Sequence, residues 1–230
     1  MLKVVIFSGA GISAESGIQT FRDSNGLWEN HDVRDVATPE AWERDPALVL
    51  KFYNERRQQI LKVQPNEAHK QIRRLEKKFD VHIITQNIDD LHERAGSNQV
   101  IHLHGEIFKM CTHPDKKEIQ NIQDDIHIGD LSPQGKQLRP YIVWFGESVP
   151  KMDEATLCIQ DADVLIVVGT SLQVYPAAGL INYIREDCPL YVIDKNMPPL
   201  AKRKLLFPIE QSAGEGMKMV VDELIKKFPH

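Results

Sequence analysis

The sequence predicts an α/β protein built on a doubly wound parallel sheet and interrupted by two insertions. Three observations predict it. Short runs of nearly continuous apolar residues recur at Val4–Phe7, Val81–Thr85, Asp163–Val168 and Pro189–Ile193, as expected of strands covered by helices on both faces. The first run passes at once into Gly9-Ala10-Gly11-Ile12-Ser13-Ala14-Glu15-Ser16-Gly17. A strand, a glycine-rich turn and a helix start together make a pyrophosphate site, with the free N–H groups of the helix end aimed at the anion. The stretches 24–60 and 106–139 break the rhythm and read as insertions.

Each strand run ends in small or polar residues: Ser8-Gly9, Gln86-Asn87, Gly169-Thr170-Ser171 and Asp194. Ligands of open parallel sheets lie beyond the carboxyl ends of the strands, so these ends predict one crevice. In the first insertion, Asp45-Pro46 reads as an N-cap followed by proline at the first helical position. The helix it opens carries Leu48, Val49, Phe52, Tyr53, Arg56 and Ile60. Pro65-Asn66-Glu67-Ala68 opens another, with Ala68, Ile72, Leu75 and Phe79 on one face. Val100–Leu103, before His104-Gly105, is a shorter fifth strand. The 106–139 stretch is polar and reads as a small module or long loop outside the main sheet. Pro176–Arg185 and Gly214–Lys227 complete the pattern as amphipathic helices.

At 230 residues the chain can bury one ample core with a small satellite. Its 42% apolar and 27% charged content is that of an ordinary soluble protein. A net charge of -5 gives no reason to expect a direct nucleic-acid partner, and the ordinary surface suggests a monomer. Cys111, Cys158 and Cys188 are too scattered for a disulfide framework, so a reducing, cytoplasmic setting is expected. The apolar run after Lys3 stops at Ser8, too short for a signal peptide or a membrane span.

Several longer motifs follow in order. They are Gly9–Ile18 through Phe21-Arg22, Thr85-Gln86-Asn87-Ile88-Asp89-Asp90-Leu91-His92 with Ala95-Gly96, and Leu103-His104-Gly105. Leu138-Arg139-Pro140, Val143-Trp144-Phe145-Gly146-Glu147 and Gly169-Thr170-Ser171 complete the set. Together they resemble the sirtuin family of NAD-dependent protein-lysine deacylases, over nearly the whole chain. The resemblance implies NAD as cofactor and acylated lysine in proteins or peptides as substrate. It implies a Rossmann-like NAD-binding core over 1–23, 61–105 and 140–230. It also implies a helical insertion at 24–60, carrying a cofactor loop and acyl pocket, and a small module at 106–139. In such chemistry the acyl-lysine oxygen attacks the ribose carbon that nicotinamide leaves. The products are nicotinamide, acyl-ADP-ribose and free lysine.

By the same resemblance His104 is the catalytic base, a task that suits an imidazole because its ordinary pKa lies near working pH. Read alone, a His-Gly after a strand would be no more than a strand cap. Asn87 and Asp89 join it at the catalytic centre. Gln86, Asn87, Ile88 and Asp89 surround nicotinamide and its ribose, where amide and carboxylate groups can bond a carboxamide and sugar hydroxyls. The phosphates and adenosine fall to Gly9, Ala10, Gly11, Ser13, Ala14, Arg22, Asp23, Gly169, Thr170, Ser171, Asp194 and Ala213. Most of the family has asparagine where Asp194 stands; aspartate can accept from ribose hydroxyls but adds charge near the phosphates. His92 and His69 read as structural.

Ala41-Trp42-Glu43 and Phe52–Arg57 look like the variant of the family that removes acidic acyl groups. Tyr53 and Arg56, three apart, share a helix face. A phenol and a guanidinium together can grip the carboxylate of a succinyl or malonyl chain. Val143, Trp144 and Phe145 resemble the segment that pairs with the substrate peptide and walls the lysine tunnel. One departure stands out. The family usually holds zinc with two Cys-x-x-Cys pairs, and here only Cys111 remains. With His113 and His127 it offers three nitrogen or sulfur ligands at most, short of a closed structural site, so no metal is expected.

An NAD-dependent dehydrogenase is the first rival. It would need a second strand ending in a ribose-binding acid about 20 residues after the glycines, and none appears. A mono-ADP-ribosyltransferase on the same scaffold would share the NAD residues. An NAD sensor without activity would not need His104, Asn87 and Asp89.

Overall fold

The computed structural model describes residues 1–19, 27–28 and 31–228. Arg22 and Asp23 lie outside them. In chain order the elements are β1 (Lys3–Ser8), β2 (Leu27–Trp28), β3 (His31–Asp32), α1 (Val33–Val36), α2 (Pro39–Arg44) and α3 (Pro46–Lys62). There follow α4 (Glu67–Leu75), β4 (Asp80–Thr85), α5 (Leu91–Arg94), β5 (Val100–His102), β6 (Gly105–Thr112) and β7 (Gln120–Asn121). The last are β8 (Leu138–Ile142), α6 (Met152–Gln160), β9 (Val164–Val168), β10 (Leu190–Ile193), β11 (Leu206–Ile209) and α7 (Ala213–Lys227).

The five expected strand runs all lie in one parallel sheet, ordered β11-β10-β9-β1-β4-β5. Side chains alternate faces along a strand. Val4, Ile6, Val164, Ile166 and Ile193 join α4 and α7 in one core; Val5, Phe7, Leu165, Val167 and Val192 join α6 in another. From central β1 the chain builds outward through β4 and β5, then crosses back to add β9, β10 and β11 on the other side. That reversal sets a switch point at the ends of β1 and β9, where doubly wound sheets take ligands. Among the described residues no helix is long and apolar enough to cross a membrane.

Two helix expectations fail. The chain after Gly9 forms two 3-10 turns, Ala10–Ile12 and Ala14–Ser16, not a helix start. Glycine and serine at four positions of Gly11–Gly17 leave too little helix propensity. Pro176–Arg185 likewise becomes a 3-10 stretch, Ala177–Tyr183, where Gly179, Ile181, Asn182 and Tyr183 are weak helix formers. The cap signals fare better. The Asp45 carboxylate accepts the Leu48 N–H at 3.0 Å, with Pro46 as the first helical residue of α3. Asn66 caps α4, accepting the Ala68 N–H at 2.9 Å, and its own N–H donates to His69 Nδ1 at 3.3 Å.

The 106–139 stretch holds a small antiparallel sheet, ordered β7-β6-β8. Ile107, Ile126 and Leu138 of this stretch, with Ile142 at the end of β8, share a separate core with Val49, Leu50, Phe52 and Tyr53 of α3. Arg57 stitches the two insertions together from inside. Its Nε donates to Ile107 O at 2.9 Å and its Nη1 to Asn54 Oδ1 at 2.9 Å. Asn54 in turn donates to Ile126 O and accepts the Ile126 N–H.

Candidate active site

A cleft of about 660 Å³ opens over the ends of β1, β4, β9 and β10, within the size range of ligand sites. Every described residue expected at the site lines it. The cofactor set comprises Gly9, Ala10, Gly11, Ser13, Ala14, Gln86, Asn87, Ile88, Asp89, Gly169, Thr170, Ser171, Asp194 and Ala213. His104, Tyr53, Arg56, Val143, Trp144 and Phe145 complete the lining. Gln173, Lys195, Asn196 and Gln211 also line it, and sequence reading passed over them. They sit just past the β9 and β10 ends or just before α7, so the strand-end rule carried further would have found three of the four.

The glycine turn is braced rather than open. Gly9 N–H donates to Val168 O, Gly11 N–H to Gly169 O, and Ile12 and Ser13 N–H to Gly9 and Ala10 carbonyls. These four groups are spent on the turn and on the β9 end, contrary to the expectation of free donors from a helix end. The turn presses against the β9 end so closely that a Cβ on Gly169, at φ +64°, would lie 2.3 Å from Ile12 N. Only glycine fits there.

Past β4, a hydrogen-bonded chain fixes the Gln86–Asp89 loop. Gln86 Nε2 donates to Thr170 Oγ1 at 2.9 Å, joining the β4 and β9 ends. Asn87 Nδ2 donates to Ser13 Oγ at 3.1 Å, and Ser13 Oγ to Asp89 Oδ2 at 3.0 Å. Asp89 also accepts the Leu91 N–H at the start of α5. Burial pushes its carboxyl above the usual range, against those two donors. His92, fully enclosed, lies 3.0 Å from Ser8 Oγ and is held neutral by burial, so it braces β1. At the β10 end, Asp194 Oδ1 accepts the Asn196 N–H at 2.9 Å, which curls the chain after the strand.

His104 stands at the joint between the two sheets, two residues past His102 of β5 and one before β6. Its Nδ1 lies 3.0 Å from Gln86 O. A carbonyl only accepts, so Nδ1 carries the proton and Nε2 keeps the lone pair. Burial lowers its pKa, with the Gln86 contact acting the other way. The neutral ring therefore prevails at neutral pH. Gly105 at φ +83° makes this joint possible, since a Cβ there would meet Tyr141 O at 2.1 Å. His104 O accepts the Val143 N–H at 2.9 Å, which ties this residue to the opposite wall.

That wall rests on a buried ion cluster. Arg139, 1% exposed, places its guanidinium 3.3 Å from the Trp144 ring centroid. It donates to Ile142 O at 2.7 Å and to Glu147 at 3.1 Å. Glu147 also accepts the Trp144 N–H at 2.7 Å and pairs with Lys116 at 2.6 Å. Burial raises the Glu147 carboxyl pKa, but Arg139 and Lys116 outweigh it and hold it below the usual range. Tyr53 is fully buried and Arg56 nearly so, the latter donating to Gln19 O at 3.4 Å. Burial pushes the Tyr53 phenol above its ordinary value, so it stays a hydrogen-bond donor.

The zinc of the resembled family does not fit here. Cys111 is enclosed, and no second cysteine lies three residues from it. His113 packs on Trp42 and pairs with Glu43, and His127 is on the surface. Among the described residues, no three His, Cys, Asp or Glu gather to hold a metal. Thr112 donates to Asp115 at 2.6 Å, and Lys136 pairs with Asp115 at 2.6 Å, closing the module with hydrogen bonds and ion pairs.

Known proteins resemble this chain over nearly its whole length. An NAD-dependent protein deacylase of Bacteroides thetaiotaomicron is 46% identical over 98% of this chain and 99% of its own. One from Helicobacter pylori is 48% identical over 98% and 99%. Among solved structures, a Sir2 homologue in complex with ADP-ribose matches with TM-score 0.88 and 37% identity, over 98% of this chain and 92% of that one. A Sir2 homologue–NAD complex matches at 0.85 and 37%, over 98% and 90%. A Sir2 structure with a deacetylated p53 peptide and 3'-O-acetyl-ADP-ribose matches at 0.82 and 31%, over 96% and 93%. The Sir2 family pattern itself spans residues 9–176, from the glycine turn to the far rim of the cleft, and the chain belongs to the Sir2 family.

Proposed function

We propose that this chain is an NAD-dependent protein-lysine deacylase that removes succinyl and malonyl groups as well as acetyl, giving nicotinamide, acyl-ADP-ribose and free lysine. The shared name of its relatives and the ligands of its structural neighbours support the activity. One observation carries the assignment of the site. His104 has Nδ1 committed to the Gln86 carbonyl and Nε2 left as a base, in the cleft between cofactor turn and acyl wall. NAD supplies the ribose carbon from which nicotinamide departs. The β1 and β9 turns, Asp194 and Ala213 hold its phosphates and adenosine, and sequence alone adds Arg22 and Asp23. Gln86, Asn87, Ile88 and Asp89 orient the nicotinamide ribose, and His104 takes a hydroxyl proton at Nε2. Val143 and Phe145 line the peptide path.

Tyr53 and Arg56 are assigned to the far end of the acyl chain. A guanidinium grips a carboxylate with two parallel bonds, and burial strengthens them. The expected result is faster release of succinyl than of acetyl from one lysine peptide, followed by mass spectrometry. Arg56→Met should slow desuccinylation about ten- to hundredfold, the value of a charge-assisted bond or two, and so reverse the order. Unchanged relative rates would sink the acyl assignment. The 106–139 module is assigned no metal: purified protein should carry no stoichiometric zinc and keep its activity after chelation. One zinc per chain by elemental analysis would overturn this.

A further inference from the structure

Two consecutive carbonyls of the β4 loop are each held by an imidazole from the neighbouring strand end. His104 Nδ1 lies 3.0 Å from Gln86 O, and His102 Nδ1 lies 3.0 Å from Asn87 O. Residues two apart in an extended chain project to the same side, so one strand end clamps two adjacent peptide groups. The rings differ at their other nitrogen. His104 Nε2 is the base. His102 Nε2 lies 2.7 Å from Glu93 Oε1 of α5. Carbonyl and carboxylate both only accept, so both nitrogens of His102 donate, and the ring is an imidazolium.

We propose that His102 is a charged positioning residue that ties Glu93 to the Asn87 carbonyl and so orients the Asn87 amide in the cleft. It reaches these groups from beneath the loop, being 4% exposed. Burial opposes its charge, but the Glu93 bond and charge outweigh burial and raise its pKa. Charged and titratable groups face it from three elements: Glu93 and His92 from α5, Glu106 from β6, and Asp89 from the loop. Their effects divide sensibly. The imidazolium opposes the upward push of burial on Asp89 and adds to the burial that keeps His92 neutral. One strand end thus presents a neutral imidazole as base and a charged one as clamp. The role rests on placing Asn87 and Asp89 at the cofactor, as proposed above.

The sign of the pH dependence follows. A raised histidine pKa gives stability that is fully present below 6.5 and is lost as pH rises through the raised value. Cofactor binding should weaken over the same alkaline window. The test is nitrogen-15 NMR of the histidine-labelled full chain, with NAD kinetics from pH 6 to 9. His102 is expected to show two protonated nitrogens at pH 7, and His104 one proton, on Nδ1. Glu93→Gln and His102→Gln should each raise the KM for NAD about tenfold; Glu93→Gln should also move the alkaline fall of kcat/KM to lower pH, and His102→Gln should abolish it. A neutral His102 at pH 7 overturns the proposal without any variant having to fold. So does a parental KM and alkaline limb in both variants. Asn87→Ala separates the two readings. Parental ADP-ribose affinity in it would overturn the cofactor placement, whereas lost affinity beside unaffected His102 variants would overturn the clamp alone.

Discussion

His104→Ala is expected to slow deacylation by about 10²- to 10⁴-fold, the usual contribution of a positioned general base. The loss should fall on the chemical step. The glycine turn, Gln86–Thr170 and the Asn87–Ser13–Asp89 chain are all held without His104, so NAD should still bind. Single-turnover rates beside calorimetric NAD binding separate the two effects. The pH profile supplies a second reading. A base must be unprotonated, and burial lowers the His104 pKa below its ordinary 6.5. Activity should therefore fall on the acid side, with its midpoint below 6.5, and the limb should vanish in His104→Ala. A midpoint above 7, or a variant within tenfold of the parent, would remove His104 from the base role.

Arg139→Met should cost about 3–5 kcal/mol of stability, the range for removing one partner of a buried ion pair. Three losses coincide in that variant. Glu147 keeps only Lys116 as a charged partner, Ile142 O loses a charged donor, and the Trp144 ring loses the cation beneath it. A well-packed apolar pair often replaces a buried ion pair at little cost, so adding Glu147→Leu to Arg139→Met should recover part of the loss. Urea unfolding followed by tryptophan fluorescence measures both. A single-variant loss under about 1 kcal/mol would mean that this cluster does not support the wall.

The sequence carried the main sheet because buried parallel strands advertise themselves as unbroken apolar runs. The five expected runs match β1, β4, β5, β9 and β10 to within a residue or so. It missed β11, Leu206–Ile209, an edge strand partly exposed and holding Pro208. It also missed β6, because a register shift between Glu106 and Met110 breaks the alternation that reveals a strand. The site was legible wherever a strand end or long motif marked it. Its supports were not. Arg57 and Arg139 stood in the motifs with no role of their own, and only tertiary burial turns them into structural pins. His102 was just the polar residue before Leu103, and nothing local shows that Glu93 and Asn87 meet it.

The cleft separates residues that belong to different cores. The cofactor side rests on the main sheet with its two flanking layers, whereas Tyr53, Trp144 and their neighbours belong to the core shared by α3 and the small sheet. On the roles proposed above, selectivity for the acyl chain and affinity for the dinucleotide rest on largely different cores. His104 is the exception: as the joint between β5 and β6, it stands between the two.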